Sequence, residues 1–162
     1  MKGIWQQHNL RVHYKQTDQM GVVHHANYVT WFEIGRTEWM RANGLPYSKM
    51  ESLGLMLPVM DLQLKYHKSA LYDEAIGIFT KIKKYSAVRL EFYYEARRLG
   101  EAGEALATDQ NEVEKPEGEL LASGSTTHMW LSKKWKPVRI HTTAPEVYEL
   151  IQNKSDTKTI QK

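Results

Sequence analysis

Residues 14–44 read YKQTDQMGVVHHANYVTWFEIGRTEWMRANG, and the stretch changes character halfway. Its first part is polar and holds an acid (Asp18), a glycine (Gly21) and two adjacent histidines (His24 and His25). Its second part sets Tyr28, Trp31, Phe32, Ile34, Gly35, Trp39 and Met40 on helical spacings. Only Glu33, Arg36, Glu38 and Arg41 form a polar face. So wide an apolar arc predicts a helix buried on most of its sides. Asn27 reads as its N-cap or a close neighbour of it, and Asn43-Gly44 as its stop, with Pro46 just beyond.

On the N-terminal side, Leu10, Val12 and Tyr14 alternate with Arg11 and His13, which predicts a half-buried strand over Leu10–Tyr14. Thr17 to Gly21 breaks that pattern as a loop does. On the C-terminal side a helical turn is expected around Ser48 to Leu53. Alternating runs then predict strands from Val59 to Tyr66, Ala75 to Tyr85, Val88 to Arg97, Ala105 to Val113 and Leu120 to Leu131. Pro58 puts the start of the first of these at an edge or a bulge. Pro145 opens a short C-terminal helix, and the polar stretch from Asn153 is expected to fray.

One strand, one long helix and then a run of antiparallel strands is an α+β signature, an antiparallel sheet wrapped around a long central helix. We read residues 1–162 as one domain, with a core over about 8–140 and a helix and tail over 141–162. Such a sheet leaves edges open, and pairing with a second copy closes them, so a homodimer or homotetramer is expected.

Composition narrows the function classes. The absence of cysteine excludes disulfides, thiolate nucleophiles and thiolate metal sites. The N-terminal MKGIWQQHNL does not read as a signal peptide, and no run approaches the roughly 20 apolar residues of a membrane span, so a cytoplasmic location is expected. The net charge of +3 is made of interleaved signs, a pattern that suits small anions and not nucleic acid. The seven histidines include no HxxxH or HExxH pair, so no metal site is expected. There is no glycine-rich nucleotide fingerprint and no GxSxG.

Asp18 after Thr17, with Gly21 three residues on, is on its own ordinary turn chemistry. The same residues also suit catalysis. The chain enters a helix whose first amides lack intrahelical partners, and those near His24, His25, Ala26 and Asn27 form a site for negative charge. A carboxylate beside such amides suits ester or thioester hydrolysis. The amides hold the oxyanion, while the acid activates water or attacks the carbonyl itself.

The stretch RVHYKQTDQMGVVHHANYVTWFEIGRTEWMR, residues 11–41, closely resembles the acyl-CoA thioesterases of the hotdog fold. The branch it resembles contains 4-hydroxybenzoyl-CoA thioesterase and the Tol–Pal-associated thioesterases. Tyr14, Thr17, Asp18, Gly21, Val22, Val23, His25, Asn27, Tyr28, Phe32, Glu33, Arg36 and Glu38 match that branch's motif in order. His24 departs from it, standing where many relatives carry Tyr, and Gln16 stands where they often carry an acid.

The resemblance implies a hotdog fold and hydrolysis of an acyl-CoA to a free acid and coenzyme A. It makes Asp18 the catalytic carboxylate, His25 the residue that orients substrate or binds its carbonyl, and Tyr14 a lining of the same pocket. Gly21, Val22, Val23, His24, Ala26 and Asn27 fall at the substrate. Leu57, Pro58 and Val59 are expected as the wall that a partner subunit presents to the acyl group. No cofactor is implied, because coenzyme A is part of the substrate. Two rival readings are a carrier-protein thioesterase or hotdog hydratase, and a non-catalytic acyl-binding protein of the same fold.

Overall fold

The chain folds around the predicted helix, α1 (Asn27–Ala42), which lies across a six-stranded antiparallel sheet. The structure, a computed structural model, describes residues 4–104, 106 and 111–155. Tyr28, Trp31, Phe32, Gly35 and Trp39 are buried, a single stripe at helical spacing that faces the sheet. Glu33 and Thr37 on the opposite face are exposed, and Val29 is 37% exposed. Within one chain the helix therefore buries one side, not most of them.

Gly35 lets the helix come close. A Cβ there would lie 2.6 Å from Ile78 Cγ2 and from Thr80 Oγ1. The helix stops as its sequence predicts. Gly44, at φ +77°, donates to the Arg41 carbonyl, Leu45 donates to the Met40 carbonyl at 2.8 Å, and Leu45 itself is buried.

The strands are β1 (Trp5–Arg11), β2 (Leu55–Met56), β3 (Val59–Tyr66), β4 (Ala75–Tyr85), β5 (Arg89–Gly100), β6 (Asn111–Val113), β7 (Glu119–Met129) and β8 (Leu131–Ser132). The large sheet runs β3-β7-β5-β4-β1-β6, and β2 pairs with β8 in a separate ribbon. This is the expected α+β arrangement.

The first strand lies earlier than expected. β1 covers Trp5–Arg11 and sits between β4 and β6. Its sequence WQQHNLR carries polar residues on both faces, so it shows no hydrophobic period. The alternating Val12 and Tyr14 lie beyond it, and Tyr14–Gln16 forms a 3-10 turn. The expected strand over Leu120–Leu131 is divided at Trp130, β7 before it and β8 after it. Of the strand expected over Ala105–Val113, only Asn111–Val113 is described as strand; Ala105 and residues 107–110 lie outside the described residues.

Two helical segments, α3 (Ile140–Thr143) and α4 (Pro145–Lys154), follow the sheet. They bury Ile140, Ala144, Val147 and Ile151 in the same core as α1, with Pro145 at the first turn as expected. Residues 156–162 of the expected tail lie outside the described residues. Among the described residues no helix is long and apolar enough to cross a membrane.

β3 differs from every other long strand. Among the described residues it pairs only with β7, and seven of its eight residues are exposed. Val59 is 44% exposed and Met60 58%, with the irregularity that Pro58 foretells falling between Val59 and Asp61. An open edge of this kind sets main-chain donors and acceptors beside exposed apolar side chains.

Candidate active site

The loop before α1 is tied down at both ends by main-chain bonds. The Asp18 amide donates to the Val22 carbonyl at 2.9 Å, and the Gly21 amide donates to the Asp18 carbonyl at 3.0 Å. Gly21 takes φ +77° with nothing within 4 Å of its ideal Cβ, so the turn alone calls for glycine there. Val23 donates to Ala70 at 2.9 Å, and His24 donates to the Gln16 carbonyl at 2.8 Å. Asn27 is the first residue of the helix and not its side-chain cap; Ala26 is the N-cap. The Asn27 amide group instead donates to the Gln16 carbonyl at 2.9 Å, which fastens the far end of the loop to the helix.

The Asp18 side chain is half-buried. Its Oδ1 accepts from the Met20 amide at 2.8 Å, the turn bond expected of an aspartate here. Oδ2 has no hydrogen-bond partner among the described residues.

The helix N-terminus is narrower as a donor site than the sequence implies. The Ala26 amide is turned to His24 Nδ1 at 3.3 Å and the Asn27 amide to the His24 carbonyl at 3.0 Å. With His24 bonded to Gln16, the His25 amide is the one of these four without an acceptor among the described residues.

Asp18 and His25 line one cleft of about 250 Å³ together with Val22 and Val23. Its other walls come from Met20, from Tyr28 on α1, and from Tyr66, His67, Lys68 and Ser69 at and beyond the end of β3. The Tyr66 hydroxyl donates to the His25 carbonyl at 2.8 Å, so the strand end is fastened to the helix start. Burial raises the pKa of both Tyr28 and Tyr66, which keeps both hydroxyls protonated. Tyr28 spends its oxygen on the Ala70 amide at 3.1 Å.

The structure does not bring every expected residue to this cleft. Tyr14 is 77% exposed and packs edge-on against Tyr72. The His24 ring lies against that of His25, centroids 4.1 Å apart and tilted by 34°, but does not line the cleft, nor do Gly21, Ala26 and Asn27. Leu57 and Pro58 line a second, larger cavity of about 690 Å³, further along α1. Its walls are Glu33, Arg36, Thr37 and Met40 of α1, the α2 helix (Tyr47–Ser52), Leu45, β2, and Lys133 and Trp135. Val59, the third residue of the expected wall, lies next along the exposed edge of β3.

Sequence reasoning missed Tyr66 and the His67–Ser69 segment as cleft residues. Tyr66 does close an alternating run, but only the sheet's register brings that end beside the helix start. The large cavity is assembled from separate segments, of which the sequence marks Leu57 and Pro58 as a substrate wall.

Residues 12–147 match the family model of the thioesterase-like superfamily. A Bacillus subtilis (strain 168) protein named "Putative acyl-CoA thioesterase YneP" is 31% identical over 138 residues, covering 85% of this chain and 88% of that one. The YbgC acyl-CoA thioester hydrolase of Escherichia coli O157:H7 is 31% identical over 83 residues, covering 51% of this chain and 62% of that protein. Among solved structures, a DHNA-CoA thioesterase from Staphylococcus aureus superposes with a TM-score of 0.76 at 32% identity, over 92% of this chain and 89% of that one. The sheet, the helix it wraps and the matched sequence agree, and the chain belongs to the thioesterase-like superfamily, with its hotdog fold.

Proposed function

We propose that this protein is an acyl-CoA thioesterase, cleaving the thioester to a free acid and coenzyme A. The observation that carries the reading is a carboxylate oxygen of Asp18 and the amide of His25, both without partners among the described residues, at one cleft. The His25 amide stabilises the oxyanion that forms on the thioester carbonyl. Asp18 takes a proton from the attacking water and gives it to the sulfur as the C–S bond breaks, releasing acid and thiol. Alternatively its carboxylate attacks the carbonyl carbon, the C–S bond breaks with the thiolate protonated from water, and water then cleaves the aspartyl anhydride to the free acid and restores the carboxylate. The His25 ring, exposed at the rim, orients the substrate. No separate cofactor enters, since the nucleotide handle belongs to the substrate. The ordered match over residues 11–41 supports the branch of 4-hydroxybenzoyl-CoA and Tol–Pal-associated thioesterases, and a cytoplasmic enzyme without nucleic-acid partners.

The working form is a dimer paired through β3. A two-fold axis pairs this strand with its own copy in antiparallel fashion, so the start of one copy meets the end of the other. β3 starts beside Leu57 and Pro58 at the large cavity and ends at Tyr66 in the small cleft. Pairing therefore sets the partner's large cavity beside this chain's Asp18, as an acyl chamber. Tyr14 stands outside the cleft of one chain and is assigned to the mouth of this shared site.

The test is thiol release from a panel of acyl-CoAs by the wild type and by Asp18→Asn. Asparagine keeps an oxygen for the Met20 amide and loses only the charge. We expect a loss in kcat of a hundredfold or more, on the order expected for a general base or nucleophile. Undiminished release by the folded variant would remove Asp18 from its role.

A further inference from the structure

Beneath α1, polar groups that the proposed chemistry does not use form a continuous chain. Tyr94 on β5 and Thr126 on β7 meet hydroxyl to hydroxyl at 2.6 Å. Thr126 Oγ1 lies 2.7 Å from Nε2 of His128, two residues along β7. His128 Nδ1 lies 3.1 Å from the Leu57 carbonyl. At the other end the Tyr94 ring stacks on Phe32 of α1, with centroids 4.9 Å apart and planes 9° from parallel, and the Arg36 charge lies nearby. Tyr94, Thr126 and His128 are all buried.

The direction of each bond follows from its neighbour. A carbonyl only accepts, so His128 carries its proton on Nδ1. Desolvation and the nearby Arg36 charge lower the ring's pKa to about 4, so it is neutral and Nε2 accepts. The Thr126 hydroxyl therefore donates to Nε2 and receives the Tyr94 proton. The chain has one polarity from Tyr94 to Leu57, and every link depends on the next, while the stacked Phe32 ties its first member to α1.

Burying three polar side chains is costly where apolar ones would pack. What the chain holds is a gap in the ladders. β2 pairs with β8 through Met56, and β3 resumes pairing at Val59, opposite His128 itself. Leu57 and Pro58 between them belong to neither ladder, and Pro58 has no N–H to offer. Both line the large cavity, and so does Arg36 of α1.

We propose that His128 is a positioning residue, holding the Leu57–Pro58 wall at a set distance from α1 and thereby fixing the width of the acyl chamber. This rests on the reading that the large cavity receives the acyl group. It places His128 in control of which acyl groups fit, not of the chemical step.

Two substitutions separate its two bonds. In His128→Asn the side-chain amide nitrogen falls near Nδ1 and still donates to Leu57. In His128→Gln the terminal group falls near Nε2, reaching Thr126 but not Leu57. We expect His128→Gln to raise KM about fivefold or more, to flatten the preference among acyl-CoAs, and to change kcat by less than about twofold. His128→Asn stays near the wild type on each count. Hydrogen exchange of the peptide over residues 55–60 gives a reading independent of activity, faster in His128→Gln than in His128→Asn. Equal behaviour of the two variants in selectivity and exchange, well below their melting temperatures, would overturn the proposal. If the wild type releases no thiol from any acyl-CoA, the hydrolase reading fails, and exchange alone then decides whether His128 holds the wall.

Discussion

The small cleft and the large cavity lie along one helix but are built in opposite ways. The cleft is polar, about 250 Å³, and its chemistry lies on one short loop and the first turn of α1. The large cavity is about 690 Å³, walled by Met40, Leu45, Met50, Leu55 and Leu57, and gathered from separate parts of the chain. A loop held by its own main-chain bonds can place a carboxylate to within a hydrogen-bond length. A chamber built from many segments depends on how the helix, the sheet and the β2–β3 connection sit relative to one another. The first arrangement suits a chemical step and the second suits selection among substrates.

The sharpest way to break this division is the charge on Asp18. Its loss in Asp18→Asn acts on the step common to all substrates, so kcat falls by one factor across the acyl panel. That factor is a hundredfold or more, about 3 kcal/mol or above in the barrier. A loss confined to a few acyl groups would show that the cleft also selects, and the division would fail.

Next in size is a pH effect that belongs to the chamber side. His128 has a folded pKa of about 4, lowered first by desolvation and then by the Arg36 charge. The ordinary histidine value near 6.5 applies to the unfolded chain. Above pH 6.5 both states are neutral there, and His128 adds no pH dependence. Below it the unfolded chain takes up a proton that the folded chain refuses, so stability falls as the pH drops from 6.5 toward 4. Between pH 7.5 and pH 5 this one group removes about 2 kcal/mol. Urea unfolding at the two pH values should show a smaller difference for His128→Asn than for the wild type. Parallel slopes would mean that the ring titrates normally in the folded protein.

These two residues also mark how much the sequence disclosed. The turn that carries Asp18 was legible because the turn, the glycine and the helix start all fall within ten residues, where local rules apply. The bounds of β3 and β4 were legible because apolar and polar residues alternate along them and a proline or a turn marks where each begins. β1 was not. A strand flanked on both sides, carrying Gln6, His8 and Asn9, offers no period to read, and the neighbouring run Leu10–Tyr14 imitated one. His128 falls inside the expected strand over Leu120–Leu131 and carries no local signal of its own. Its role depends on Tyr94 and Arg36, 34 and 92 positions earlier in the chain, which only the sheet order and the seat of α1 bring together.

That seat gives a third test, smaller again, in which the two regions respond together. Gly35→Ala improves helix propensity by about 1 kcal/mol but drives a methyl into Ile78 and Thr80. Both are β-branched residues on a central strand and have little room to turn. Overpacking of this kind costs about 1–3 kcal/mol. Two stiff partners put the cost in the upper half of that range, about 2–3 kcal/mol, and the net loss of about 1–2 kcal/mol lowers Tm by roughly 2–8 °C. Because α1 carries Asp18's loop at one end and a wall of the chamber along its length, kcat and selectivity should shift together. An unchanged Tm would show that helix and sheet are less closely seated than the 2.6 Å contacts require.

The smallest effect distinguishes fastening from chemistry within the cleft. Tyr66→Phe removes the hydroxyl that donates to the His25 carbonyl at 2.8 Å and leaves the ring packed edge-on against Tyr28. The bond is exposed, so water replaces the lost donor, and the stability cost is about 0.5–1 kcal/mol. Its consequence for activity should exceed that figure's share of the fold. The His25 carbonyl and the next peptide's amide turn as one plane, and so does the amide of His25 with the carbonyl before it. Freeing the carbonyl lets the helix start rotate and the His25 amide leave the line of the oxyanion. A kcat reduction of about threefold to tenfold with KM little changed places Tyr66 in support of the amide. A rise in KM alone would place it instead against the substrate, as a wall of the cleft in its own right.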